Sequence, residues 1–335
     1  MAEPTLTDYV QVIFALFDMF EQQRQQNNSP QPGRPFTLAE KAMIVLFTLC
    51  QFRRIFHFKT QRRWLAAHPE ILPLLGWERV PHRTTFSRRY KQLYDTLQAF
   101  VAFIGHYVCQ LAPTFQQEHL VEDKSLCKAL GPVWHQSDRK AGRIPDKLRN
   151  LDTDATWGKS AYQGWVYGYG LHLTCSEAAF PALVQVETAA YPESDVLDEK
   201  ADTILQDIQP VTLAADDKYT KATRIRRWAK HGVALITPAC KWVKGRFAQA
   251  YHRFIKEPVN VERLRHRRTS VEPLFDLVAK VLGTTGKHKQ LPVQRLANVR
   301  TCLALATLSV QIAMIVNSIW GLPPRNISVM TSAFT

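Results

Sequence analysis

The stretch His119-Leu120-Val121-Glu122-Asp123-Lys124-Ser125-Leu126 decides how the rest of the chain is read. It is a short apolar run of the kind that forms a buried strand, and it breaks into polarity at Asp123. Two later acids stand at similar breaks: Asp216 ends the run Val211-Thr212-Leu213-Ala214-Ala215, and Glu272 follows Ser270-Val271. Three carboxylates gathered from distant parts of a chain repel one another unless a cation sits among them. Asp123, Asp216 and Glu272 together therefore predict a metal site. Oxygen-only ligation suits Mg2+ or Mn2+, hard ions that keep water or phosphate oxygens in their open positions. Taken singly, each acid has a plainer role. Asp123 is then the first polar residue after a strand, Asp216 a helix cap, and Glu272 the partner of Arg268 one turn earlier.

A chain of 335 residues, 46% of them hydrophobic, is globular and long enough for two domains. Lys and Arg outnumber Asp and Glu by 43 to 29, a net charge of +14 that favours a polyanionic partner, either nucleic acid or an anionic membrane surface. The six cysteines (Cys50, Cys109, Cys127, Cys175, Cys240 and Cys302) are scattered, without a Cys-x-x-Cys pair or zinc-finger spacing, which predicts a reducing, cytoplasmic setting. The N-terminal residues lack the basic-then-apolar pattern of a secretory signal. Residues 302–316 are the one candidate membrane segment. They are short for a span and carry Thr307, Ser309 and Gln311, so a buried helix is expected and no membrane partner.

Residues 5–24 place Leu6, Tyr9, Val10, Ile13, Phe14, Phe17 and Phe20 on one helical face, expected to dock on the next domain, with a dimer contact as the alternative. The Gln- and Asn-rich residues 22–34 read as a linker, so 1–34 forms an amphipathic helix and its tether. Residues 35–112 are helical in pattern. Thr37 and Glu40 give a capping-box signature there. Between residues 51 and 100, ten Lys or Arg stand against three acids and interleave with aromatics. Pro81 to Tyr90 reads as a turn feeding a helix that offers Arg83, Thr84, Ser87, Arg88 and Arg89 to a DNA groove; the plain alternative is a solvated basic face.

From residue 113 to 320 the pattern changes. Strands are predicted over 119–123, 166–174, 183–189, 211–215 and 233–237, with helices over 195–208, 220–230 and 268–282. Three strands followed by alternating helix and strand imply an α/β domain with a mixed sheet flanked by helices. This is the order of a ribonuclease-H-like fold, preceded here by an all-α, helix-turn-helix-like domain and followed by a tail over 321–335. Asp152 and Asp154 fall in what reads as a loop that approaches DNA. The Trp134-His135 pair beside it reads as packing.

Three segments carry a family resemblance. Leu213-Ala214-Ala215-Asp216-Asp217-Lys218-Tyr219 has a strand ending in Asp followed three residues on by an aromatic. Arg268-Thr269-Ser270-Val271-Glu272, with Phe275 and Lys280 beyond, has an Arg-x-x-x-Glu signature. Gly164 to His172 has a Gly-Tyr-x-Leu-His strand. In this order they resemble the DDE transposases of bacterial insertion sequences, and the basic helix around Thr85 to Tyr90 resembles that family's DNA-binding region. Pro273 follows the Glu where that family often has Arg, Arg265 stands where many members have Tyr, and Lys280 falls one position late. Pro273 also predicts that Glu272 sits near a helix start. Asp217 is the alternative to Asp216.

The resemblance implies a DNA-cutting and DNA-joining enzyme using two Mg2+ or Mn2+ ions, with Asp123, Asp216 and Glu272 as ligands and catalytic residues. It implies double-stranded DNA as partner, both terminal inverted repeats and target, gripped in part by Arg265, Arg268 and Lys280. Pairing two DNA ends implies a homodimer on DNA, and a location at the nucleoid in the cytoplasm. The competing expectations are a catalytically silent DNA-binding descendant and a nuclease of the same fold without strand transfer.

Overall fold

The computed structural model describes residues 3–27, 38–238, 244–284 and 289–335. Its helices, numbered along the chain, are α1 (Leu6–Asn27), α2 (Glu40–Phe52), α3 (Phe58–Ala67), α4 (Ile71–Leu74), α5 (Arg83–Gln92), α6 (Tyr94–Leu111) and α7 (Gln136–Lys140). Beyond these lie α8 (Glu193–Asp202), α9 (Ala222–Lys230), α10 (Gly245–Ile255), α11 (Pro258–Leu282), α12 (Leu296–Ile319) and α13 (Ile327–Phe334). The strands are β1 (His119–Lys128), β2 (Thr156–Ser160), β3 (Gly164–Ser176), β4 (Pro181–Thr188), β5 (Thr212–Ala214) and β6 (Ala234–Ile236). The chain divides into two compact units: Met1–Phe103 with Lys128–Asp154 and Leu277–Thr335, and Ile104–Cys127 with Ala155–Asp276. Residues 277–335 therefore pack with the N-terminal helices, whereas the sequence pattern grouped most of them with the strands.

The first unit is helical and built on α12. That helix is apolar on all sides, which only a buried helix tolerates, and 89% of its most apolar window is buried. Its buried hydroxyls and amide find backbone partners: Thr307 and Ser309 donate to the carbonyls of Leu303 and Leu305 within the helix, and Gln311 donates to the carbonyl of Val101. Helices α1, α2, α5 and α13 pack around it. The expected stripe of α1 is what docks. Tyr9, Val10, Ile13, Phe17 and Phe20 are buried, with Tyr9 edge-on to Phe334 and Phe17 edge-on to Phe100. Thr37, and with it the expected capping box, lies outside the described residues; α2 begins at Glu40. Asp152 and Asp154 are not loop residues awaiting a partner. Their carboxylates accept the backbone amides of Arg295 and Leu296 at 3.0 Å and so satisfy open donors at the start of α12.

The second unit holds a six-stranded mixed sheet in the order β2-β3-β1-β5-β6, with β4 also paired to β3. β2 and β4 take successive halves of β3, both antiparallel, from Thr156↔Gly168 to Ser160↔Gly164 and from Tyr169↔Thr188 to Thr174↔Leu183. β1, β5 and β6 run parallel. Neighbouring residues of a strand face opposite ways, and β1 uses both faces: Glu122 meets Lys200 of α8, while Asp123 meets Arg267 of α11. The sheet is thus flanked by helices on both sides, an α/β architecture. The five expected strands are present, β1 running on to Lys128. β2 was not expected and lies in the stretch read as a loop.

Candidate active site

Asp123 and Asp216 come together through strand register. β1 and β5 are adjacent and parallel, with Val121 opposite Ala214; Asp123 lies two residues further along β1 and Asp216 two residues past the end of β5, near enough for the charge of Asp216 to act on Asp123. Asp216 also caps the short 3-10 turn Asp217–Tyr219, its Oδ1 accepting the Asp217 amide at 2.8 Å. Asp216 is half-buried and Asp217, the alternative, is exposed. Asp123 keeps 20% of its side-chain surface. Its carboxylate accepts the Lys124 amide and pairs with the Arg267 guanidinium. Burial, with the nearby charges of Asp216 and Glu193, nevertheless pushes its pKa up to about 6 against the opposing pull of Arg267.

Glu272 is not part of this group. It is exposed, in the middle of α11, which runs unbroken through Pro273. At about 100° per residue it lies roughly 140° around the helix from Arg267. The buried stripe of α11 is Arg267, Ser270, Val271, Leu274 and Val278, and the residue turned to Asp123 is a cation. The acid that does reach Asp123 electrostatically is Glu193, the first residue of α8, which is paired with Lys218 at 3.0 Å. No pattern in the sequence marked either Arg267 or Glu193, because each is defined by its place across the sheet from β1. Among the described residues, no three His, Cys, Asp or Glu side chains are close enough to hold a metal ion. Asp123 and Asp216 are oxygen donors of the kind a hard cation takes, but Asp123 is already paired with Arg267 and the full three-carboxylate set does not assemble among the described residues.

No protein-family model, curated protein or solved structure matches this chain. Geometry alone therefore ranks the other expected residues. On α5, Arg83, Thr84 and Arg88 are exposed and Ser87 half-buried, with His82 accepting the Thr84 amide at the helix start. Arg89 is a correction: it is buried, with Glu40 at 3.6 Å, and is withdrawn from any DNA surface because its phase on α5 turns it inward with Phe86 and Tyr90. Arg265, Arg268 and Lys280 are exposed on α11, Arg265 lying 3.6 Å from Glu262. Trp134 donates to the carbonyl of Arg143, a local packing role.

The raised pKa of Asp123 carries a stability consequence. Its folded value, about 6, lies above the roughly 3.9 of an unfolded Asp, so the folded protein binds this proton more tightly. Stability from this group is full below about pH 4 and is lost as pH rises through 6, a change on the order of 2–3 kcal/mol. The raised value already includes the loss of the Arg267 pair on protonation. Asp123→Asn, a neutral stand-in, is expected to melt higher than the parent near pH 8, with the difference vanishing toward about pH 4. An Asn variant that melts at or below the parent at the higher pH contradicts this.

Proposed function

We propose that this protein is a DNA transposase of the DDE type, with a ribonuclease-H-like catalytic domain and a helix-turn-helix-like DNA-binding region. One observation carries the reading: β1 and β5 are adjacent and parallel, and they bring Asp123 of β1 and Asp216, two residues past the end of β5, close enough that the charge of Asp216 helps raise the pKa of Asp123. The strand order β4-β3-β1-β5-β6, antiparallel first and parallel after, supports the same fold reading. The charge of +14 and the exposed Arg83, Thr84, Arg88, Arg265, Arg268 and Lys280 supply phosphate-binding surface.

Asp123 and Asp216 would hold Mg2+ or Mn2+; Glu272, the third ligand that the resemblance implies, is exposed on α11 and outside their group. A bound divalent ion supplies charge stabilisation and an activated oxygen nucleophile for phosphoryl transfer. The chain's own residues do the rest. Asp123 is held in β1 and Asp216 in the turn that follows β5, and the backbone amides of Lys124 and Asp217 orient one oxygen of each. Arg267 balances the charge of Asp123 in the structure described here.

The same contact favours a second reading, a DNA-binding descendant that no longer cuts, because a guanidinium occupies the carboxylate that a cation needs. One assay separates them. The protein is incubated with a supercoiled donor bearing the inverted repeats that flank its gene, with Mg2+, Mn2+ or a chelator. Ion-dependent end cleavage and joining is expected. Binding with no cleavage supports the silent descendant, and cleavage without joining a nuclease.

A further inference from the structure

The β2–β3 hairpin carries an arrangement that the catalytic reading does not use. Register places Lys159 opposite Trp165 and Trp157 opposite Tyr167, so two tryptophans and a lysine share one face beside the turn. Trp165 is 60% exposed and Tyr162, in the turn, 76% exposed. Large aromatic surface left open on a hairpin loses hydrophobic stabilisation unless something covers it. Lys159 Nζ lies 5.8 Å from the centre of the Trp165 ring, a cation held over an open aromatic face.

The same residues, Trp157, Lys159 and Trp165, line a pocket of about 410 Å3 together with Tyr191, Lys218 and the start of α8. Its volume falls in the range of about 300–1,000 Å3 usual for sites that take a small ligand. The pocket is braced rather than loose. Lys124 Nζ donates to the carbonyls of Ala189 and Tyr191 at 3.0 Å, and Gly158 lets β2 approach so closely that a Cβ there would lie 2.7 Å from the Ala189 oxygen. Lys218, more than half exposed, also lines the pocket, in its pair with Glu193. Flat aromatic faces open to solvent, with ammonium groups lining the same pocket, are what an unpaired nucleotide requires: a surface for the base and cations for its phosphate.

We propose that this hairpin and pocket bind single-stranded DNA, receiving one unstacked nucleotide with its base on Trp165 and its phosphate near Lys159. The assignment rests on the reading of the chain as a DNA enzyme. It is tested apart from catalysis, because binding is measured in a chelator. Single-stranded oligothymidylate, a duplex of equal length and oligouridylate, each labelled, are titrated into the full-length protein and its Trp165→Ala, Trp165→Phe and Lys159→Ala variants, and anisotropy is read at fixed salt. Trp165→Ala is expected to weaken oligothymidylate binding by about tenfold or more, with duplex affinity within about twofold of the parent. Trp165→Phe, which keeps a ring, retains most of the affinity, and Lys159→Ala flattens the salt dependence for the single strand. Equal loss for single strand and duplex, or no loss in Trp165→Ala, overturns the proposal, as does tighter binding of oligouridylate, which would assign the platform to RNA. A protein that binds oligothymidylate through Trp165 yet never cuts the donor keeps this site and loses the enzymatic reading; a protein that cuts with Trp165 irrelevant does the reverse.

Discussion

Asp123→Ala and Asp216→Ala are each expected to lower cleavage of the supercoiled donor by roughly a thousandfold or more, while affinity for the same DNA changes by less than about threefold. The expectation follows from where the two stand. β1 and β5 are held by their backbone ladder, so removing either carboxylate leaves the strands paired, although Asp123→Ala also deprives buried Arg267 of its partner. Binding depends on cations elsewhere, and deleting an acid from a basic protein does not weaken it. A single-turnover assay with end-labelled donor reads the loss. Retention of even a tenth of the parent rate in either variant would remove this pair from the chemistry. The third acid is decided by the same assay: loss in Glu272→Ala would mean that α11 presents another face once DNA and ions are bound, whereas loss in Glu193→Ala alone would assign the role to the residue already beside Asp123.

What could be read from the sequence here, and what could not, divides along physical lines. The alternating and continuous apolar runs mark β1, β3, β4, β5 and β6, and the breaks into carboxylate within β1 and just past β5 point to Asp123 and Asp216. Strand pairing then brings the two together, something no single strand contains. β2, Thr156-Trp157-Gly158-Lys159-Ser160, is short, holds a glycine and has only one large apolar residue; it is a strand because β3 offers it a ladder. Glu272 departs from the helix start expected for it for a local reason. Pro273 reads as a helix start, yet α11 passes through it, since the one hydrogen bond it forfeits is to the carbonyl of Thr269, an exposed residue that water can serve. With α11 continuous, phase puts Arg267 inward and Glu272 outward. Arg89 shows the same limit on the helical side: ten basic residues in a stretch reveal a basic region, but burial against Glu40 depends on how α5 packs.

The pair behind Asp123 on the other face of β1 is where a single change should cost the most stability. Glu122 is fully buried; Lys200 donates to its two oxygens at 2.9 and 3.1 Å, and Thr174 donates to the same carboxylate. Burial draws the Lys200 ammonium below its ordinary pKa even with Glu122 beside it, so the interior charges are balanced only as a pair. Lys200→Met leaves an uncompensated carboxylate in the core and is expected to cost about 3–5 kcal/mol, read as a lower urea midpoint at unchanged slope. Adding Glu122→Leu to Lys200→Met removes the stranded charge, and the double variant should recover to within about 1 kcal/mol of the parent or exceed it. A single variant losing less than about 1 kcal/mol would show that water or another cation already reaches Glu122, contrary to its burial. The double variant also separates packing from chemistry. β1 is tied to α8 by this pair and to α11 through Asp123, and if the pair serves only to seat the strand, the apolar replacement keeps Asp123 near Asp216 and donor cleavage survives.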